Sequence, residues 1–182
     1  MKRTSYIFVL LIIISGSLYA GDKIELKWKT FNEGLKEAKA SKKKVLIDVY
    51  TDWCKWCKKM DQDVYGNELV SKYLSEQYVL VKLNAESPLE ATYNDKKLTE
   101  REVAGGFGVN SYPTTLFLDE KGGFITPLAG FIPPEKFIDV VKFIGENYYE
   151  KMSWDEYQKQ NKADTKKENT IKEEPKKEDS KN

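Results

Sequence analysis

Short apolar runs separated by polar segments predict the strands of a sheet. Residues 45–50 and 78–83 are almost entirely apolar, and Asp48 and Lys82 are their only charged residues. Runs of this length and composition are typical of strands that are buried on both faces of a sheet. The other predicted strands are residues 24–28, 115–118 and 124–128, the last two joined by a hairpin turn at 119–123 and the final one at an edge of the sheet.

Helical periodicity alternates with these strands. Three helices begin with a capping box, in which Ser or Thr is followed three residues later by Glu. The boxes are Thr30 with Glu33, Thr99 with Glu102, and Ser153 with Glu156, and two further helices begin at Asn67 and Pro134. The apolar residues at helical spacing are Phe31, Leu35 and Ala38, then Leu69, Val70, Tyr73 and Leu74, then Phe137, Val141, Ile144 and Tyr148. Residues 84–97 predict a loop, and Gly130 predicts a bulge or a close backbone approach.

The N-terminal segment has the pattern of an export signal. Lys2 and Arg3 precede an apolar run at residues 6–14, and small residues follow up to Ala20. The apolar run is shorter than the about 20 residues that span a membrane. We predict a signal peptide at residues 1–20, cleaved after Ala20, with an uncleaved membrane anchor as the alternative. The protein is then exported to the periplasm or cell envelope.

The rest of the chain has the length of one domain and a separate tail. Residues 21–160 form the predicted domain, which ends in a short helix. Residues 161–182 are rich in Lys and Glu with almost no apolar side chain, and they predict a disordered tail. The formal net charge of +1 gives no basis for nucleic-acid binding. No segment indicates dimerisation, so we expect a monomer.

The candidate chemistry lies in Cys54 and Cys57, the only cysteines of the chain. They could form a structural staple, half of a metal site shared between two chains, or a redox pair. A staple across two residues would restrain the unfolded chain little, because stabilisation grows with loop length. The sequence has no histidine, which excludes His-dependent catalysis and zinc sites with a His ligand. A redox pair is favoured, with neither metal nor cofactor expected.

The order of elements resembles the thioredoxin family over about residues 26–149. Asp48, six residues before Cys54, is similar to the buried carboxylate of that family, and Lys82 is similar to the lysine that pairs with it. Pro113 is similar to the family's cis-proline, and Gly130 to the glycine near its substrate groove. The resemblance implies an α/β thioredoxin fold, in which a central mixed β-sheet is flanked by helices.

Within the family, the segment Trp53-Cys54-Lys55-Trp56-Cys57 indicates which members this chain resembles most. It is similar to exported bacterial members with a Cys-x-Trp-Cys centre, and to the C-terminal periplasmic domain of the thiol transporter DsbD. The dipeptide between the cysteines differs from the Gly-Pro of cytoplasmic thioredoxins and from the Pro-His of strong oxidases. The family resemblance therefore implies the redox site but not its reduction potential.

The resemblance also implies a role for each residue of the redox site. Cys54, with an exposed sulfur at a helix N-terminus, is the expected nucleophile, since the helix dipole and N–H groups lower a thiol pKa. Cys57 is expected to resolve the mixed disulfide. Asp48, paired with Lys82, is expected to accept the proton of Cys57; its alternative role is a buried carboxylate that is merely satisfied by its partners.

Four further residues are expected around the sulfurs. Trp56 is expected to contact substrate, and Trp53 to pack with partial exposure, although ordinary packing against the helix would explain both. A cis bond before Pro113 would turn the backbone of Tyr112 towards the sulfurs, where it could pair with an extended substrate strand.

Together these expectations describe an exported thiol–disulfide oxidoreductase that reduces protein disulfides. Its partners would be proteins with cysteines or disulfides and a membrane thiol transporter that supplies electrons. The absence of a histidine beside the nucleophile argues against a strong oxidase. The alternatives are a module that holds cysteine-bearing clients through a stable mixed disulfide, and a disulfide oxidase or isomerase.

Overall fold

The computed structural model describes the backbone of residues 24–173 and the side chains of residues 24–163. The strands in this range are β1 (Trp28–Lys29), β2 (Lys44–Tyr50), β3 (Tyr78–Asn84), β4 (Glu90–Tyr93), β5 (Lys96–Thr99), β6 (Thr114–Leu118) and β7 (Phe124–Ala129). Five of them form a mixed sheet in the order β1-β3-β2-β6-β7. The first three strands of that order are parallel, and β6 and β7 are antiparallel to their neighbours.

Helices cover both faces of the sheet. They are α1 (Phe31–Ser41), α2 (Lys55–Lys59), α3 (Glu68–Gln77), α4 (Glu100–Gly106), α5 (Pro134–Gly145) and α6 (Trp154–Glu173), with a π-helical turn (Met60–Tyr65) directly after α2 and a 3₁₀ turn at Tyr148–Glu150. All three predicted capping boxes are present. A mixed sheet between helices is the fold class that the sequence predicted.

The alternation of side chains along β2 divides the apolar core into two layers. Val45, Ile47 and Val49 pack in the layer that contains α1 and α4. Leu46 packs in the other layer, with the π-helical turn, α3 and α5. Because Asp48 follows Leu46 by two residues, its carboxylate points into this second layer, towards the turn that follows the cysteine helix.

The prediction of a loop at residues 84–97 is wrong, because β4 and β5 form a hairpin within and just beyond it. Its tip is Asn94 and Asp95, whose φ angles are +51° and +61°. Two successive left-handed residues make the type I′ turn that matches the twist of a hairpin, and Asn and Asp tolerate it well. The Asn-Asp dipeptide was the available signal. Tyr93 fixes the hairpin to the domain through ring contacts with Phe31 and Phe107.

Predictions about two helices, the tail and one glycine also need correction. Leu69 is 71% exposed and lies off the apolar face of α3. Tyr148 lies beyond the end of α5, because Asn147 turns the chain with a φ of +61°. The backbone of residues 161–173, within the segment predicted as disordered, continues α6, and its Lys, Ala and Glu residues have high intrinsic helix propensity. Gly130 has a φ of +88°, and an added Cβ would meet no atom within 4 Å. Backbone conformation, not close approach, favours glycine there.

Two predictions fall on residues outside the described range. The expected signal peptide at residues 1–20 lies wholly outside it, and so do residues 174–182 of the expected tail. Among the helices that the structure does describe, none combines the length and the apolar character needed to cross a membrane.

Candidate active site

The two cysteines lie where the chain leaves the central strand β2 and enters α2. Cys54 is the N-cap of α2 and has an extended backbone, and its sulfur accepts a hydrogen bond of 3.0 Å from the Cys57 N–H. The two residues form a disulfide. The expected exposed sulfur of Cys54 is not found, since the residue is 4% exposed. In this oxidised form the Cys54 sulfur is bonded to the Cys57 sulfur and accepts from the Cys57 N–H.

Two exposed indoles flank the disulfide. Trp53 is 65% exposed and Trp56 is 56% exposed, although residues of this size are usually buried. The Trp53 ring makes an edge contact with Tyr112 at 5.9 Å, and the Trp56 ring contacts Phe131 at 5.5 Å. Each indole therefore joins the cysteine segment to a different loop, and both leave apolar surface exposed beside the cysteines in the chain.

The loop before β6, which contacts Trp53 through Tyr112, is tied to the end of β7. The peptide bond between Tyr112 and Pro113 is cis. The Pro113 carbonyl accepts a 2.8 Å hydrogen bond from the Gly130 N–H, and the Thr114 hydroxyl donates to the Ser111 carbonyl at 2.8 Å. These bonds hold the loop at the start of β6, beside the ring contact of Tyr112 with the cysteine segment.

Trp53 has a second, polar contact that the sequence did not indicate. Its indole N–H donates to Glu86 Oε2 at 3.0 Å. The backbone carbonyl of Glu86 in turn accepts from the Arg101 guanidinium at 2.8 Å. The position of this exposed ring is thus set by a carboxylate as well as by Tyr112.

Asp48 and Lys82 meet as predicted. They are direct partners in the parallel pairing of β2 with β3, and Lys82 Nζ donates to Asp48 Oδ2. The Lys82 ammonium also donates to Asp61 Oδ1, and it lies over the rings of Trp28 at 4.8 Å and Tyr50 at 5.4 Å.

Asp61 is a site residue that the sequence analysis missed. It follows Cys57 by four residues, which places both on neighbouring turns of one helix, and this spacing was the available signal. Unlike Asp48, which is fully buried, the Asp61 side chain is 47% exposed. One ammonium is therefore shared by a buried carboxylate and a partly solvated one.

Burial controls the protonation of this cluster. The burial of Asp48 raises the pKa of its carboxyl above the usual value, because desolvation outweighs the attraction of Lys82. Burial alone would lower the pKa of Lys82, but the charges and hydrogen bonds of Asp48 and Asp61 outweigh it and raise that pKa. The pKa of Lys82 is thus raised by its two carboxylate partners, and the pKa of Asp48 is raised by its burial.

The structure thus brings the expected residues together in two groups. The first group is the buried disulfide of Cys54 and Cys57, with the exposed Trp53 and Trp56 and, through Tyr112, the cis-proline loop; the second is the pair of Asp48 and Lys82 within the sheet. Among the described residues, no group of three or more His, Cys, Asp or Glu side chains could hold a metal ion. The chemistry that this arrangement can perform is thiol–disulfide exchange.

Comparison with known proteins gives consistent results. A family model described as a thioredoxin-like domain matches residues 31–145. The chain is 31% identical over 99 residues to the thiol:disulfide interchange protein DsbD of Actinobacillus pleuropneumoniae serotype 5b, covering 53% of this chain and 15% of that protein. It is 30% identical over 105 residues to the thioredoxin-like protein HCF164 of Oryza sativa subsp. japonica, covering 58% of this chain and 35% of that protein.

Among solved structures, a thioredoxin-fold protein from Helicobacter pylori superposes with a TM-score of 0.60 at 25% identity. That likeness covers 84% of this chain and 97% of the other. The curated relatives are much longer than the matched region, since the match spans only 15% of DsbD and 35% of HCF164.

Proposed function

This chain belongs to the thioredoxin-like domain family, whose model matches residues 31–145, and we propose that it is an exported oxidoreductase that reduces disulfides in proteins. The observation that carries the proposal is the disulfide between Cys54 and Cys57 at the N-cap of α2, set between two exposed indoles. A relative named as a thiol:disulfide interchange protein supports the same class of reaction.

In the proposed reaction the reduced form acts first. The Cys54 thiolate attacks one sulfur of a substrate disulfide, which forms a mixed disulfide and releases the other substrate sulfur as a thiolate. The Cys57 thiol then gives its proton to Asp48 and attacks the Cys54 sulfur, which releases the second substrate thiolate. Two electrons pass from the dithiol to the substrate, and the enzyme is left with the Cys54–Cys57 disulfide.

The exposed indoles favour a polypeptide as substrate. Trp53 and Trp56 offer apolar surface beside the cysteines in the chain, and aromatic residues of this kind are common anchors in protein interfaces. The backbone of Tyr112, in the loop before β6, is the proposed pairing site for an extended substrate segment. A small disulfide would need neither the exposed indoles nor a pairing site for an extended segment.

A second dithiol must return the enzyme to its reduced form after each turnover. We propose that a membrane thiol transporter supplies these electrons, since the segment at residues 1–20 favours export to the periplasm or cell envelope, outside the reach of cytoplasmic reductants. The proposed direction of electron flow, towards substrate disulfides, rests on the lack of a histidine beside Cys54 that would stabilise the reduced form.

The reduction potential of the Cys54–Cys57 pair tests the direction. Residues 21–182 would be equilibrated with dithiothreitol or glutathione buffers, and the thiols would be counted after alkylation. A potential near about −270 mV supports a reductase, and one near about −120 mV would reverse the assignment to an oxidase.

The variant Cys57→Ser tests the reaction itself. We expect it to accumulate a mixed disulfide with a protein substrate through Cys54 and to lose turnover, and Cys54→Ser to form no adduct. Undiminished function of Cys57→Ser would instead favour a module that holds its clients, and rearrangement of scrambled disulfides without net reduction would favour an isomerase.

A further inference from the structure

One oxygen of the buried Asp48 carboxylate has no hydrogen-bond partner. Oδ2 accepts from Lys82, whereas Oδ1 has no partner among the described residues, although Asp48 is fully buried. An unpaired carboxylate oxygen in the protein interior is costly, and native structures rarely leave one without a nearby donor. A donor near Oδ1 would decide how readily Asp48 takes up a proton.

Two hydroxyl groups lie next to this carboxylate. Thr115 of β6 is the direct partner of Asp48 in the antiparallel pairing with β2, on the side opposite Lys82. The hydroxyl of Tyr65 lies 3.4 Å from Thr115 Oγ1, and either group can donate. Both residues are buried, so water cannot replace either hydroxyl without entering the core.

The Tyr65 ring is fixed by its neighbours rather than by its hydroxyl. It is the last residue of the π-helical turn that follows the cysteine helix, and it makes edge contacts with Trp28 at 5.0 Å and Phe137 at 5.8 Å. A phenylalanine would make the same ring contacts. Because a buried hydroxyl costs free energy unless it is paired, the hydroxyl of Tyr65 needs a partner. Thr115 and Asp48 can accept from it, whereas the Lys82 ammonium, 5.5 Å from the centre of the Tyr65 ring, is a donor only.

Electrostatics supports an interaction of Tyr65 with Asp48. Burial, followed by the charge of Asp48, raises the pKa of Tyr65 well above its usual value, so the phenol stays protonated and can donate. For Asp48, burial raises the pKa, Lys82 lowers it, and the neighbouring Tyr65 hydroxyl also acts to lower it. Asp61, on the π-helical turn, also acts on Asp48, and its charge raises the pKa of that carboxyl.

We propose that Tyr65 is a positioning residue for the disulfide exchange: its hydroxyl, oriented by Thr115, donates to Oδ1 of Asp48 and sets the basicity of the proton acceptor. This rests on the proposed function. When Asp48 is ionised, Thr115 donates to the Tyr65 oxygen and Tyr65 donates to the carboxylate. The hydroxyl thereby stabilises the form of Asp48 that accepts the proton of Cys57, without itself touching the sulfurs.

The variants Tyr65→Phe and Thr115→Val remove one hydroxyl each and keep the shape of the side chain. Tyr78→Phe is the matched control, because its buried hydroxyl donates to the Val141 carbonyl at 2.7 Å, away from Asp48. The Asp48 carboxyl would be titrated by ¹³C NMR in the oxidised protein, which requires no substrate. The rate at which the mixed disulfide between Cys54 and a protein substrate is released would then be measured as a function of pH.

We expect Tyr65→Phe to move the Asp48 titration to higher pH and to slow release about fivefold near pH 6, since a hydrogen bond to a charged group is lost. Thr115→Val should act in the same direction with a smaller effect, and Tyr78→Phe should change neither quantity. An unchanged Asp48 titration in a folded Tyr65→Phe protein, or an equal shift in Tyr78→Phe, would overturn the proposal.

A variant that fails to fold and an incorrect proposed function give results that can be told apart. If Tyr65→Phe does not fold, the test rests on Thr115→Val. An Asp48 titration in that variant that is identical to wild type then refutes the positioning role of Tyr65. If the wild-type protein reduces no protein disulfide, the proposed function fails, yet the carboxyl titration still supports or overturns the interaction of Tyr65 with Asp48.

Discussion

Asp48 and Lys82 are direct partners across the parallel strands β2 and β3, and the Lys82 ammonium that binds Asp48 also binds Asp61. A buried carboxylate is tolerated when a cation fully compensates it. Here the cation is divided between two carboxylates, so Asp48 is compensated only in part and its pKa is raised by burial. This incomplete pairing is consistent with the proposed role of Asp48 as a proton acceptor, since a raised pKa makes a carboxylate a better base.

Asp48→Asn should slow the release of the mixed disulfide about a hundredfold, because general-base catalysis by a positioned carboxylate is lost. Attack by Cys54 should remain, since it needs no proton acceptor of this kind. Stopped-flow measurement of adduct formation and decay separates the two steps. Equal slowing of both steps would point to a distorted site and remove Asp48 from the resolving step.

The same substitution should stabilise the folded protein at neutral pH. Burial raises the pKa of Asp48 in the folded state, so wild-type stability falls as pH rises from the unfolded pKa, about 3.9, through the folded one. The neutral amide avoids this loss. Urea unfolding of the oxidised proteins should show a difference in the free energy of unfolding between Asp48→Asn and wild type, and this gap should be small at pH 4 and larger at pH 7. A gap that does not vary with pH would contradict a raised pKa for Asp48.

Asp61→Asn should make Asp48 a stronger acid. The nearby charge of Asp61 raises the pKa of Asp48, and its removal also leaves Lys82 to Asp48 alone. The acid limb of the release rate should move to lower pH, with release about threefold faster near pH 6. Asp63→Asn is the control, since Asp63 lies on the same turn but pairs with Lys59. A comparable change in both variants would exclude a specific role for Asp61.

Trp56→Ala should weaken the binding of protein substrates. Loss of the exposed ring that contacts Phe131 should raise KM for a protein disulfide about tenfold, as expected for an aromatic anchor, and leave the rate with a small aromatic disulfide nearly unchanged. Leu69→Ala removes another exposed apolar side chain, on α3, and should have no effect. Equal losses for large and small substrates would mean that Trp56 supports the helix and not the substrate.

Gly34→Ala should destabilise the domain by about 1–3 kcal/mol, because the added Cβ would lie 2.1 Å from Val81 Cγ2 in the packed layer between α1 and β3. Gly105→Ala, in α4, would place its Cβ where no atom lies within 4 Å and should stabilise by about 0.5–1 kcal/mol. Chemical denaturation of the two variants beside wild type measures both effects. Opposite signs are the expected result, and equal stability of Gly34→Ala and wild type would refute the packing argument.

Much of the fold was predictable because its signals are local. Capping boxes set the starts of α1, α4 and α6, since the paired groups are three residues apart. Apolar runs identified β2 and β3, since a strand buried on both faces needs no polar alternation. The hairpin of β4 and β5 was missed because its strands are largely polar and it is stabilised by packing of Tyr93 on distant rings.

The sequence by itself determined the chemistry: two cysteines at a spacing suited to exchange, a lone carboxylate in an apolar strand, and no histidine. The tertiary structure decided how that chemistry is controlled. Strand register places Lys82 and Thr115 on opposite sides of Asp48, and the π-helical turn brings Asp61 to Lys82 and Tyr65 to Thr115. Those contacts join residues 21 to 67 positions apart in the chain, and only packing in three dimensions brings such residues together.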